Sequence, residues 1–274
     1  MELSCAAVML AKDEADSIEY TIRHLHDQDV DRLTVLDNLS SDGTSELLVR
    51  LAAEFFPWLI VRVDPEVGYF QSVKTTGLAN EARVDGFDWV LPVDADERWS
   101  ATDGRTIGAF LRSIPPDVPV VGAGIYHYIP SAEDTDDPSP FDRIRWRLAE
   151  PSSLPKVACR TWPGLVIEAG NHGCSYDWSK QYVTAGGLRV DHYSWRSEAQ
   201  FARKIRNGAR AYAATDLPEG VGGHWRMWGD PDAPDLDERA ALHFRRYFYA
   251  PNPPAAPGSE DRRGLIYDPS VTRA

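Results

Sequence analysis

A chain of 274 residues has room for one large domain or two small ones. Hydrophobic residues make up 43% and charged residues 26%, as in ordinary globular proteins, while 42 acids against 29 bases leave a formal charge of −13. That balance argues against a general binder of nucleic acid or anionic membrane, and no run of about 18 apolar residues offers a membrane span. The opening stretch MELSCAAVML lacks the basic start and small-residue cleavage site of a secretion signal. Cys5, Cys159 and Cys174 show no metal spacing, and their odd number argues against a disulfide framework. A cytoplasmic protein with reduced thiols is expected.

Residues 3–10 (LSCAAVML) form a short apolar run and are read as a buried strand. Residues 14–28 place Ala15, Ile18, Ile22 and Leu25 at helical spacing. Residues 32–36 (RLTVL) read as the next strand. The turn Ser40-Ser41-Asp42-Gly43-Thr44 follows, in which Asp42 or Thr44 can cap a helix carrying Leu47, Leu48 and Leu51. Residues 59–63 form a third strand, 70–83 a helix, and 88–93 (DWVLPV) a fourth strand, which Pro92 places at an edge or a bulge. Strand–helix alternation of this kind predicts a parallel sheet covered on both faces, with ligands outside the carboxyl ends of its strands.

Those strand ends are acidic. Lys12, Asp13 and Glu14 follow the first strand, Asp37 and Asn38 the second, and Asp94, Asp96 and Glu97 the fourth. No Gly-x-Gly-x-x-Gly follows the first strand and no P-loop pattern occurs, so the dinucleotide and P-loop classes lose their main support. In Asp94-Ala95-Asp96 two carboxylates two residues apart share one face of a strand, where they can hold a divalent cation against a diphosphate. Taken alone, the triplet also fits a solvated turn.

Beyond residue 100 the pattern changes. Residues 131–140 (SAEDTDDPSP) make an acidic loop, and short runs at 118–126, 157–160, 165–168 and 187–190 read as strands of a mixed sheet. Ser197-Glu198-Ala199-Gln200 reads as a capping box opening a helix with Phe201, Ile205 and Tyr212 on one face. The tail over 250–274 is rich in Pro and Gly and is expected to be extended or disordered.

Three stretches occur in order: VMLAKDEADSIEYTIRHL, TVLDNLSSDGTSELL and DWVLPVDADERW. Together they resemble family-2-type glycosyltransferases of the GT-A fold over roughly residues 4–100. VDHYSWRSEAQFARKIRNG, with GGHWR, is similar to the C-terminal part of a bacterial subgroup. The resemblance implies an α/β fold of the GT-A (Rossmann-like) kind, a mostly parallel sheet flanked by helices with a C-terminal mixed-sheet acceptor half. The expected layout is one catalytic domain over 1–249, with a nucleotide-binding half at 1–100, an acceptor half at 101–249, and the tail beyond. It implies an enzyme that moves a sugar from a nucleotide-diphosphate sugar, UDP-linked by preference, to a hydroxyl of a glycan, lipid-linked sugar, natural product or protein, with inversion.

Residue by residue, the resemblance puts Lys12, Asp13 and Glu14 near the nucleotide base and Asp37 on the base or ribose. Asp94 falls on the ribose or a metal-bound water, and Asp96 on Mn²⁺ or Mg²⁺. His192, in Asp191-His192-Tyr193, is the expected late histidine of the cation, with His224 its rival. Lys204, Arg196 and Arg226 are candidates to neutralise the leaving diphosphate. The family's usual Glu-Asp pair is missing, so the general base is sought among Glu168, His172 and Asp191; Asp191 can instead orient His192. Asn171 is placed to touch a sugar. Glu97 is either a solvated acid or a support for the site. The aromatic faces of Trp146, Trp162, Trp178, Trp195, Trp225 and Trp228 suit sugar stacking as well as core packing. A sugar-phosphate nucleotidyltransferase and a non-catalytic sugar- or nucleotide-binding module are the alternatives.

Overall fold

The computed structural model describes residues 3–68, 70–177, 179–181, 185–218, 220–251 and 264–268. Trp178 and most of the 250–274 tail lie outside them. In chain order the elements are β1 (Cys5–Ala11), α1 (Ile18–Asp27), β2 (Arg32–Asp37), α2 (Thr44–Glu54), β3 (Leu59–Val63), α3 (Gln71–Val84), β4 (Trp89–Asp94), β5 (Glu97–Ala101) and α4 (Ile107–Arg112). They continue as β6 (Val120–Ile129), α5 (Pro140–Arg143), β7 (Trp146–Leu148), β8 (Lys156–Arg160), β9 (Leu165–Ile167), a 3-10 turn at Ala169–Asn171, β10 (Cys174–Tyr176) and β11 (Ser179–Lys180). The last are β12 (Ala185–His192), α6 (Glu198–Ala213), α7 (Gly223–Arg226), α8 (Leu236–Tyr247) and β13 (Leu265–Tyr267).

Two compact units emerge, with the division inside β6. The first comprises Met1–Asp64, Gln71–Tyr126 and Pro151–His192. Its sheet runs β6-β8-β4-β1-β2-β3, parallel over β3, β2, β1 and β4 and antiparallel at β8 and β6. Residues alternate between its faces with period two. Ala7, Met9, Leu33, Val35, Leu91 and Val93 pack with Ile18, Ile22 and Leu25 of α1 and with Leu48 and Leu51 of α2. Val8, Val90, Val157 and Cys159 turn the other way and pack with Leu78 and Ala79 of α3 and with β9 and β10. Both faces are therefore covered, and this α/β layering agrees with the expectation from strand–helix alternation. A second sheet, β9-β10-β11, is antiparallel.

Pro92 does not mark an edge. β4 lies between β1 and β8, yet β8 pairs only with Trp89 and Val90. At Pro92 the β8 ladder has already ended, so the missing amide interrupts nothing on that side. α1 begins four residues later than the pattern implied, because the Glu14 carbonyl accepts from both Ser17 N and Ile18 N and closes a turn first.

His24 joins α1 to β5. Its Nε2–H donates to the Trp99 carbonyl at 2.5 Å, and burial lowers its pKa to about 4. The unfolded chain therefore binds the extra proton between about pH 6.5 and pH 4, and stability falls as pH falls through that window. We expect about 2–3 kcal/mol of the loss between pH 7 and pH 4.5 to come from this imidazole. Urea melts of His24→Gln should show that much less acid sensitivity than wild type; equal slopes would refute the assignment.

The second unit comprises Pro65–Phe70, His127–Glu150 and Tyr193–Ala274. α6 and α8 bury Phe201, Ile205, Leu236, Ala240 and Phe244 around Trp228. Half of the expected capping box forms: Ser197 Oγ accepts from Gln200 N at 3.1 Å, but Gln200 Oε1 accepts from Arg196 N rather than from Ser197 N. Tyr193 stacks on Tyr128 at 4.4 Å. Leu265–Tyr267, inside the expected tail, forms an antiparallel strand with β7. Among the described residues no helix is long and apolar enough to cross a membrane.

Candidate active site

Sheet register aligns the acidic strand ends. Asp37 lies opposite Ala11 on one side and Val63 on the other, and Asp94 lies opposite Leu10. Asp64, immediately after β3, joins the same edge and pairs with Lys74 Nζ of α3 at 2.5 Å. Asn38 Nδ2 also donates to Asp64, at 2.9 Å. The sequence reading passed over Asp64, although it ends an apolar run just as Asp37 and Asp94 do.

The first group of candidates staples two loops together. Asp37 Oδ1 accepts from Ser40 N (3.2 Å) and Ser40 Oγ (2.6 Å), and Oδ2 accepts from Ser45 Oγ. Asp13 Oδ1 accepts from Ser41 N at 2.6 Å, and Glu14 N donates to Thr44 Oγ1 at 2.9 Å. Lys12 Nζ donates to the Leu39 carbonyl. The cap position of α2 falls on Gly43, in left-handed backbone and without a side-chain cap bond, rather than on Asp42 or Thr44; Asp42 Oδ1 accepts from Thr44 N at 3.1 Å from just ahead of it. Asp13, Glu14 and Asp37 are all buried. Both Asp13 and Leu39 adopt left-handed backbone (φ 55° and 53°), a strained choice for an exposed leucine that points to a built loop. Asp37→Ala should cost about 1–3 kcal/mol of stability through the lost hydroxyl and amide bonds. Urea denaturation reads this directly; unchanged stability would show that the staple carries no weight.

The second group surrounds Asp94-Ala95-Asp96-Glu97. The turn is tied to α1 by Thr21 Oγ1, which donates to the Ala95 carbonyl at 2.8 Å. Glu97 is neither solvated nor peripheral: it is 0% exposed. Its Oε2 accepts from Asp94 N (3.0 Å) and Trp99 Nε1 (2.9 Å). Lys156 Nζ of β8 lies 2.8 Å from Glu97 Oε1 and 2.5 Å from Asp94 Oδ2. Burial alone would lower the lysine pKa, but the two carboxylates outweigh it and hold the ammonium charged. Burial pushes the Glu97 carboxyl up, against Lys156, which draws it down. Asn171 Nδ2 donates to Asp94 Oδ1 at 3.1 Å from a left-handed residue (φ 59°).

β12 delivers the histidine. It pairs antiparallel with β5 so that His192 lies opposite Glu97, and His192 Nε2 comes within 3.4 Å of Asp96 Oδ1. Asp191 alternates to the other face of the strand, where it is buried and ion-paired with Arg189 at 2.7 Å. That placement separates it from the role of orienting His192. A carboxylate oxygen and an imidazole nitrogen suit Mn²⁺ or Mg²⁺ as a partial site. The expected set of Asp94, Asp96 and His192 is not assembled, however. Among the described residues no group of three or more His, Cys, Asp or Glu side chains is placed to hold a metal ion. Asp94 is turned instead to Lys156 and Asn171.

Glu168 and His172 lie on the loop after β9. Glu168 is half-exposed and ion-paired with Lys180 at 3.1 Å. His172 Nδ1–H donates to the Pro155 carbonyl at 2.9 Å, which leaves Nε2 as the ring's acceptor. Burial lowers its pKa, and the Lys156 charge adds to this, so the ring is neutral at pH 7. Gly170 makes room for it: a Cβ there would meet the ring at 2.5 Å.

The remaining candidates, Trp162 apart, belong to the second unit. Lys204 Nζ stands 5.8 Å from the Trp195 ring centroid. Arg226 donates to Thr215 Oγ1 and to the Val221 and Leu217 carbonyls, and the His224 ring lies tilted at 48° to that of Trp225, 4.9 Å between centroids. Arg196 is buried and donates to the Tyr193 carbonyl, so it is a structural cation there. Trp146 and Trp228 are core residues, whereas Trp162 is exposed.

No protein-family model matches the sequence, and no curated protein matches it significantly. Among solved structures the chain is similar to a mannosyltransferase from Pyrobaculum calidifontis in complex with GDP-Man and Mn²⁺, at 15% identity and TM-score 0.43, covering 90% of this chain and 76% of that one. It is also similar to residues 1–349 of TarS from S. aureus in complex with UDP, at 12% identity and TM-score 0.40, covering 89% and 72%. A glucosyl-3-phosphoglycerate synthase from Mycobacterium tuberculosis, with Mn²⁺ and UDP, matches at 20% identity and TM-score 0.32, covering 45% and 44%. Likeness at this level decides neither family nor reaction.

Proposed function

We propose that the chain is a metal-assisted glycosyltransferase of the GT-A kind, which takes a nucleotide-diphosphate sugar, by preference UDP-linked, and transfers the sugar to an acceptor hydroxyl. The observation that carries this reading is the approach of His192 to Asp96 at the carboxyl end of β4, within the motif order that resembles the family. Asp96 and His192 would hold the cation, whose chemistry when bound is to neutralise the leaving diphosphate. Asp94, oriented by Asn171 and Lys156, presents an acceptor surface to donor hydroxyls. Asp13, Glu14 and Asp37 shape the loop that would receive the base, and Lys12 closes it.

His172 is our choice of general base for an inverting transfer, because its ring is neutral and its Nδ1 proton is committed to a carbonyl. Glu168 and Asp191 each answer a neighbouring cation and are weaker candidates. A sugar-phosphate nucleotidyltransferase would want the Gly-rich phosphate loop that this sequence lacks, and a non-catalytic module would tolerate loss of Asp96. The test is release of UDP, or another nucleoside diphosphate, from a panel of sugar nucleotides with Mn²⁺. Pyrophosphate production from a sugar phosphate would favour the nucleotidyltransferase, and nucleotide binding without turnover the module.

A further inference from the structure

The acidic turn carries a cation of its own. The Lys156 side chain is only 3% exposed, and its ammonium sits between Asp94 Oδ2 and Glu97 Oε1. The other two oxygens are also engaged, Asp94 Oδ1 by Asn171 and Glu97 Oε2 by Asp94 N and Trp99 Nε1. Two carboxylates this close, one of them wholly buried, repel each other unless a positive charge lies between them. A divalent cation could supply that charge, but at the usual oxygen distances of about 2.0–2.6 Å it would occupy the place of the ammonium.

We propose that Lys156 is a positioning residue: a protein-borne cation that holds Asp94 and Glu97 in place and keeps a divalent metal off them. The inference deepens the transferase reading and rests on it only for the purpose of the metal. It is tested with Mn²⁺ alone, so a protein that binds as expected yet turns over no sugar nucleotide would refute that reading and leave this one standing.

The experiment follows Mn²⁺ binding to the full chain by electron paramagnetic resonance at about pH 8, where carboxyl protonation does not compete. Lys156→Met removes the charge and keeps the length. It should bind Mn²⁺ at least about tenfold more tightly than wild type, through the two unmasked carboxylates, and adding Glu97→Gln should reverse the gain. In the wild-type background Glu97→Gln should leave Mn²⁺ binding unchanged within about threefold, whether measurable or nil. A smaller gain in folded Lys156→Met, a gain that survives Glu97→Gln, or a larger loss in Glu97→Gln alone overturns the proposal. If Lys156→Met does not fold, Lys156→Gln is read by the same criteria, a gain of at least about tenfold that Glu97→Gln reverses supporting the proposal and its absence overturning it.

Discussion

Asp96→Asn should reduce sugar transfer by at least about 10²–10³-fold, the scale on which a positioned electrostatic group contributes to a transition state. The asparagine is the informative replacement because Asp96 is buried, and alanine would leave a gap beside His192. Circular dichroism should show an unchanged fold, and EDTA should silence the wild-type enzyme to the same degree. Near wild-type turnover by a folded Asp96→Asn protein in saturating Mn²⁺ would remove Asp96 from the mechanism. His192→Ala should weaken Mn²⁺ by at least about 10-fold, while His224→Ala preserves it.

Glu97→Ala should be the most damaging single change to stability, at about 3–5 kcal/mol. It leaves the buried Lys156 ammonium with one carboxylate and removes the acceptor of Asp94 N and Trp99 Nε1. Glu97→Gln keeps the shape and an acceptor and should cost distinctly less. Urea unfolding of the pair separates the roles: equal losses would mean that the charge pairing with Lys156 contributes little.

The strand ends were legible because the second and fourth apolar runs stop at Asp37 and Asp94 and the first at a Lys-Asp-Glu run, and the parallel order followed from the helices between them. The Ser197 cap and the placement of His192 after a strand were legible for the same local reason. What escaped the reading was long-range. Lys156 lies 62 positions from Asp94, and Asn171 lies 77, so no spacing signals either contact. Sequence neighbours leave Glu97 open between a solvated acid and a support for the site, because only a distant ammonium makes its burial tolerable. The strand at Leu265–Tyr267 is three residues long amid Pro and Gly, too short to impose a pattern. Asp191 and His192 are neighbours in sequence, and strand alternation sends them to opposite faces.

The same distances bear on how the molecule is made. At about 5–20 residues per second, a nascent chain that has just emitted Asp94 waits roughly 3–12 s for Lys156. β5 waits longer still, since its partner β12 begins at Ala185. During that interval the parallel layer of β1 to β4 can assemble from contacts already synthesised, but the acidic turn has neither its counter-charge nor its covering strand. The stretch that reads most like a self-contained nucleotide binder thus lacks, by itself, the counter-charge and the covering strand of its acidic turn. Its chemistry is completed late, by residues from the other half of the chain, and ribosome-bound intermediates ending near residue 150 would present an open, strongly negative rim to chaperones.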